Sequence, residues 1–125
     1  DRQAYAKRQN AIAYFYTRYR FPDGSWENGR RTLLEDTADL GALSCLTDLA
    51  GGDKEKLQRL YTSYAMTWRD KFTTAKFRTL LTDAHAISAV RVNAVLSATD
   101  AFYKAFDVKE GDGMYVEPKD RVNLW

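Results

Sequence analysis

The chain has 125 residues, enough for one domain with a core of its own, and its 45% hydrophobic and 29% charged content excludes a disordered or low-complexity segment. A net charge of +2, from 19 basic and 17 acidic residues, is too even to indicate nucleic acid, and no apolar run is long enough to cross a bilayer. No secretion signal opens the chain, which starts at Asp1 rather than Met and reads as a fragment or processed piece.

The basic excess is local. Residues 1–20, "DRQAYAKRQNAIAYFYTRYR", place Tyr5, Ile12, Tyr16 and Tyr19 at helical spacing. That pattern predicts a helix to about Arg20 with a packed face and a solvated basic back, in preference to a phosphate-binding strip with stacking aromatics. "FPDGSWENG" is turn-rich and reads as a loop. A second helix is expected from near Thr32 to just before Gly51-Gly52, with Cys45 inside it as a buried small hydrophobe. A lone cysteine excludes an internal disulfide and a cysteine metal cluster. Asp53 is a good N-cap for a third helix carrying Leu57, Leu60, Tyr61, Tyr64 and Trp68 in one stripe.

A short helix follows through "TAKFRTLL". In "HAISAVRVNAVL" the alternation Val90-Arg91-Val92 suits extended chain. Ser97, with Asp100 three residues on, is expected to cap a helix through Phe106, and the tail "EGDGMYVEPKDRVNLW" is turn chemistry. The expected fold is mainly α with long loops.

Two acids and one histidine draw the chemistry. Glu35 and Asp39 stand four apart in "TLLEDTADLGAL", on one helical face among apolar neighbours. On spacing alone, Glu35 closes a capping box on Thr32, or the two acids serve a metal, one as ligand and one as orienter of a ligand histidine. His85 follows Asp83 by two residues and precedes Arg91 by six. A lone histidine is structural more often than catalytic; beside an aspartate it also suits a donor to a developing oxyanion, with Arg91 as a fork for a carbonyl or carboxylate.

The segment "NGRRTLLEDTADLGAL" resembles a signature of the neprilysin-type zinc metallopeptidases, a family that includes endothelin-converting enzymes and bacterial PepO. "YAMTWR", "LLTDAHAISAVRVNAVLSATDAFYKAFDVKEGDGMY" and the terminal tryptophan are similar to further segments of that family, in the same order. The resemblance implies the helical C-terminal part of a thermolysin-like catalytic domain, here residues 1–125, acting on peptides outside the cytoplasm. It implies that Glu35 is a zinc ligand, that Asp39 accepts from a zinc-bound histidine, and that His85, supported by Asp83, stabilises the oxyanion. Arg91 would grip a substrate carbonyl, and Trp68 would border the pocket for the residue after the scissile bond.

Several positions depart from the family pattern. Its Gly, Asn and Ile around the glutamate are Leu34, Asp36 and Thr37; its two prolines around the histidine are Ala84 and Ile87; its Ser and Gly are Ala86 and Ala94. The proline exchanges free two backbone dihedrals beside His85 and motivate an alternative, a degenerate module that binds peptides or a partner without catalysis. The cysteine that precedes the final tryptophan in animal members is absent, which points to a bacterial-type relative. The family's HExxH motif, source of two zinc ligands and the general base, lies upstream of the matching region, and a chain with one histidine cannot contain it. The chain alone is therefore expected to be inactive and not to retain zinc, with the HExxH-bearing part of the same protein as its partner and no membrane or nucleic-acid contact of its own.

Overall fold

The computed structural model describes residues 1–123; the terminal tryptophan, Trp125, lies outside the described residues. Among the described residues six helices run in order: α1 Arg2–Thr17, α2 Gly29–Ala50, α3 Lys54–Thr67, α4 Thr74–Leu80, α5 Ser88–Ala98 and α6 Asp100–Phe106. A 3-10 turn at Pro118–Asp120 follows in the tail, and one isolated bridge joins Arg20 to Trp26. The mainly helical expectation holds. Among the described residues no helix is long and apolar enough to cross a membrane.

The 22-residue α2 is the centre of the fold, with α1, α3 and α5 packed against it. Its buried face reads Gly29, Thr32, Asp36, Leu40, Leu43, a stripe at intervals of three and four. It begins earlier than Thr32 because Asn28 caps it, the side-chain oxygen accepting from Arg31 N–H at 3.1 Å. Gly29 permits that start: a Cβ there would lie 2.1 Å from the carbonyl oxygen of Ala13 on α1. The helix stops at Gly51, which takes the left-handed conformation at φ 66°. The capping box is thereby overturned, since Glu35 stands inside the helix and its terminus is satisfied by Asn28. Cys45 lies off the buried stripe and is exposed rather than buried.

On α1 the packed face comprises Ile12, Ala13, Phe15 and Tyr16, while Tyr5 is exposed, so the expected face covers only the second half of the helix. Asp53 caps α3 as expected, accepting from Lys56 N–H at 2.9 Å, and Leu57 and Tyr61 of its stripe are buried. The extended reading at Val90 to Val92 is overturned. Those residues are helical in α5, where Val90, Ala94 and Val95 face the core and Arg91 turns toward α2. Ser97 is also not a cap: it is buried in the last turn of α5, and the break falls at Thr99, after which α6 begins. The tail is held by Tyr103, whose hydroxyl donates to Ser97 C=O at 2.8 Å and accepts from Val116 N–H at 3.0 Å.

Candidate functional site

The α2 face carrying Glu35 and Asp39 looks toward α5 and the turn before it. One helical turn separates the two carboxylates, and each meets a different cation-forming side chain. His85 Nε2 lies 3.3 Å from Glu35 Oε2, with the two side chains 48% and 41% exposed. Asp39 holds Arg91 in a two-pronged pair, both oxygens accepting, from Nε and from Nη2, at 2.7 Å each. That second pair is nearly closed to solvent, each side chain being 13% exposed. Asp39's hydrogen bonds, opposed by burial and aided by the charges of Asp39, Tyr64 and Glu35, raise the Arg91 pKa above its ordinary value.

The remaining candidates extend this arrangement. Asp83 accepts twice through Oδ1, from the His85 backbone N–H at 2.9 Å and from ring Nδ1 at 2.8 Å. Those bonds, the backbone one first, hold the Asp83 carboxyl below its usual range. The Arg91 guanidinium stacks on Trp68 with its carbon 3.7 Å from the ring centroid. Trp68 in turn borders a cleft of about 270 Å³ shared with Phe72, Ala89 and Val92. All six sequence-derived candidates thus fall into two contact chains, Asp83–His85–Glu35 and Asp39–Arg91–Trp68, which start one helical turn apart on the same face of α2.

The turn carrying His85 is well tied despite lacking prolines. Thr82 Oγ1 donates to Thr79 C=O at 2.8 Å, and the Arg31 guanidinium donates to Leu81 C=O. Glu27, which sequence reasoning passed over, closes the far side by accepting from Ile87 N–H. A glutamate in a polar loop carries no local signal of burial, and its partner lies 60 residues away.

Behind the exposed face, Asp36 is buried, with Oδ2 accepting from Thr32 Oγ1 at 2.6 Å and Oδ1 without a partner among the described residues. Burial pushes its carboxyl up to about 7, against the lowering effect of the Thr32 hydroxyl. Tyr16, whose hydroxyl is also buried without a partner, is raised well above its ordinary value, chiefly by burial and then by Asp36.

The Asp39–Arg91 pair sets a stability prediction. Removing one member leaves the other charge enclosed and unpaired, which typically costs about 3–5 kcal/mol for a buried pair. Asp39→Ala should lose on the order of 3 kcal/mol in denaturant unfolding, and Asp39→Ala with Arg91→Met should lose less than the sum of the single changes. A loss below about 0.5 kcal/mol for Asp39→Ala would place the pair in the weak class of surface ion pairs.

The chain and its fold have counterparts among known proteins. The family model "Peptidase family M13" matches residues 1–122. The chain is 37% identical over 99 residues to the neutral endopeptidase of Lactobacillus helveticus, covering 78% of this chain and 15% of that protein. A neutral endopeptidase of Lactococcus lactis subsp. cremoris is 33% identical over 100 residues, covering 78% and 16%. The crystal structure of PepO from Lactobacillus rhamnosis superposes with a TM-score of 0.92 at 31% identity, over 99% of this chain and 20% of that one. The zinc metalloprotease Zmp1 of Mycobacterium tuberculosis, in complex with an inhibitor, gives a TM-score of 0.90 at 31% identity, over 100% and 22%.

The chain belongs to peptidase family M13, and its fold is the helical one shared with PepO and Zmp1. It spans about 15–16% of the length of the curated relatives it matches.

Proposed function

We propose that residues 1–125 are the C-terminal portion of the catalytic domain of a zinc-dependent metalloendopeptidase, whose HExxH portion lies upstream and which acts on peptides outside the cytoplasm. The observation that carries this reading is the convergence of the two chains Asp83–His85–Glu35 and Asp39–Arg91–Trp68 on adjacent turns of α2 in a chain of this family. The donor set fits one position of a zinc site. Glu35 offers a half-exposed carboxylate on a rigid helix, yet among the described residues no three His, Cys, Asp or Glu side chains group to hold a metal. A catalytic zinc takes three protein ligands, so the other two come from outside these residues.

Zinc, when bound, supplies Lewis-acid polarisation of a carbonyl and a water acidified toward neutral pH. The other roles belong to this chain. Asp83 accepts from Nδ1–H of His85 and so aims Nε2 at the site, where it donates to a developing oxyanion from the doubly protonated ring. Each Asp39 oxygen accepts once from Arg91 and keeps a second lone pair for the N–H of a ligand histidine. Arg91 spends Nε and Nη2 on Asp39 and keeps Nη1 for a substrate carbonyl, while Trp68 and its cleft receive an apolar side chain.

The test compares the whole protein with the 125-residue chain on one internally quenched peptide. The whole protein should cleave it, lose activity to a chelator and regain it with zinc. The chain alone should neither cleave nor hold stoichiometric zinc, because one carboxylate cannot match a three-residue site. Cleavage by the chain alone would overturn the reading, and a zinc-replete whole protein that binds peptides without cutting them would establish the binding-only relative.

A further inference from the structure

Among the described residues, Glu27 is a buried charged side chain that joins two helices at their starts. It is 4% exposed, in the loop before α2. Oε1 accepts from the N–H of Asn28, the cap of α2, at 2.9 Å, and Oε2 accepts from the N–H of Ile87, the cap residue of α5, at 3.1 Å. Glu35 and Asp39 ride on α2. His85 lies two residues before Ile87, and the carbonyl of Ile87 accepts the backbone N–H of Arg91 at 3.0 Å. The two helix caps that define the site are therefore bridged by one carboxylate. Glu27 takes the N–H of the cap residue itself, supplying from a distance the acceptor that the third-position Glu or Gln of a capping box supplies locally.

We infer that Glu27 is a positioning residue, whose buried carboxylate locks the cap of α5 to the cap of α2 and thereby fixes His85 and Arg91 against Glu35 and Asp39. It touches none of the six candidates, so it acts through the backbone. The inference rests on the catalytic reading for its effect on turnover, although the lock itself is independent of that reading.

The chemistry of the lock provides its own rescue. Glu27→Ala leaves the N–H groups of Ile87 and Asn28 without their acceptor, and Ile87→Pro leaves Glu27 Oε2 without a donor; together they remove both members of the Ile87 end of the lock, and only the Asn28 N–H stays unmatched. Ile87 has φ −56°, close to the value at which a proline ring holds the chain, so Pro at 87 restrains the cap covalently where the hydrogen bond restrained it before.

The experiment uses the whole protein, zinc-loaded, with kcat expressed per bound zinc so that misfolded material does not count. Glu27→Ala should lower kcat by about 10- to 100-fold, the scale for a misplaced catalytic group, with KM within about twofold and zinc content unchanged. Ile87→Pro added to Glu27→Ala should return kcat to within about threefold of the parent. Where Glu27→Ala fails to fold, Glu27→Gln, which keeps the volume and one acceptor oxygen, should show the same loss in smaller measure and the same rescue. Hydrogen exchange over residues 82–91 reads the lock without any activity: the Ile87 amide should be protected in the parent and exchange faster in either Glu27 variant. Unchanged exchange at Ile87, or a double variant no faster than Glu27→Ala, overturns the inference. Should His85→Phe leave kcat intact while the Ile87 amide still responds to Glu27, the lock stands and the catalytic reading fails.

Discussion

Glu35→Val should strip the whole protein of zinc and reduce peptide hydrolysis to background. On the proposed reading its carboxylate is this chain's zinc donor, half exposed on α2 with His85 Nε2 at 3.3 Å. Valine removes the carboxylate while keeping a branched side chain of similar girth, and the pair it gives up with His85 is half exposed. The helix start is capped by Asn28 and the buried stripe runs through Thr32, Asp36 and Leu40, so the fold should survive. A zinc site left with two protein ligands loses much of the binding free energy of three. Metal analysis of the purified variant decides the matter. A variant that holds as much zinc as the parent removes Glu35 from the site, whatever happens to activity.

His85→Phe should behave in the opposite way, keeping zinc and losing turnover. An oxyanion donor acts on charge that exists mainly in the transition state, so its removal lowers kcat far more than it changes KM. The expected loss is on the order of 10²–10³ in kcat, the range for a deleted oxyanion donor. The structure supports the split, because the ring is oriented by Asp83 from the side away from Nε2 and the turn beneath it is tied independently through Arg31 and Glu27. Phenylalanine leaves the turn's backbone bonds in place, including Asp83 Oδ1 accepting from the N–H of residue 85. Steady-state kinetics on one peptide, with zinc analysis beside it, separates the outcomes. Near-normal kcat would return His85 to an ordinary structural role.

Local signals were legible where one residue decides a local event. Asp53 announced α3 and Gly51 ended α2, because capping and left-handed termination are properties of single side chains. The start of α2 was not legible in the same way. Thr32 and Glu35 satisfy the capping-box spacing, but Asn28 four residues earlier is a good cap, and Gly29 allows the helix to close onto Ala13 only in the folded packing. At Val90 to Val92 the two-residue alternation pointed to extended chain, and burial of Val90, Ala94 and Val95 on α5 prevailed. Cys45 failed because composition near a residue does not state which side of a helix it occupies.

The site itself was readable mainly through resemblance. Glu35 and Asp39 on one face follow from periodicity, yet nothing in spacing states that Asp39 meets Arg91, 52 residues away, or that Arg91 rests on Trp68. Glu27 was missed because its burial depends wholly on that tertiary closure. The missing prolines, read as loosening the His85 turn, are offset by hydrogen bonds that involve Arg31, Thr82 and Glu27.

The central claim is that this chain gives a composite zinc site one ligand, Glu35, and holds His85 beside it as a donor and not as a ligand. Anomalous scattering at the zinc edge from crystals of the whole protein tests that most directly, because the two side chains stand close enough for either to be taken for the ligand. A single zinc peak is expected in contact with the Glu35 carboxylate and with two side chains from outside residues 1–125, and no contact with the His85 ring. Zinc coordinated by His85, or a peak remote from Glu35, would contradict it.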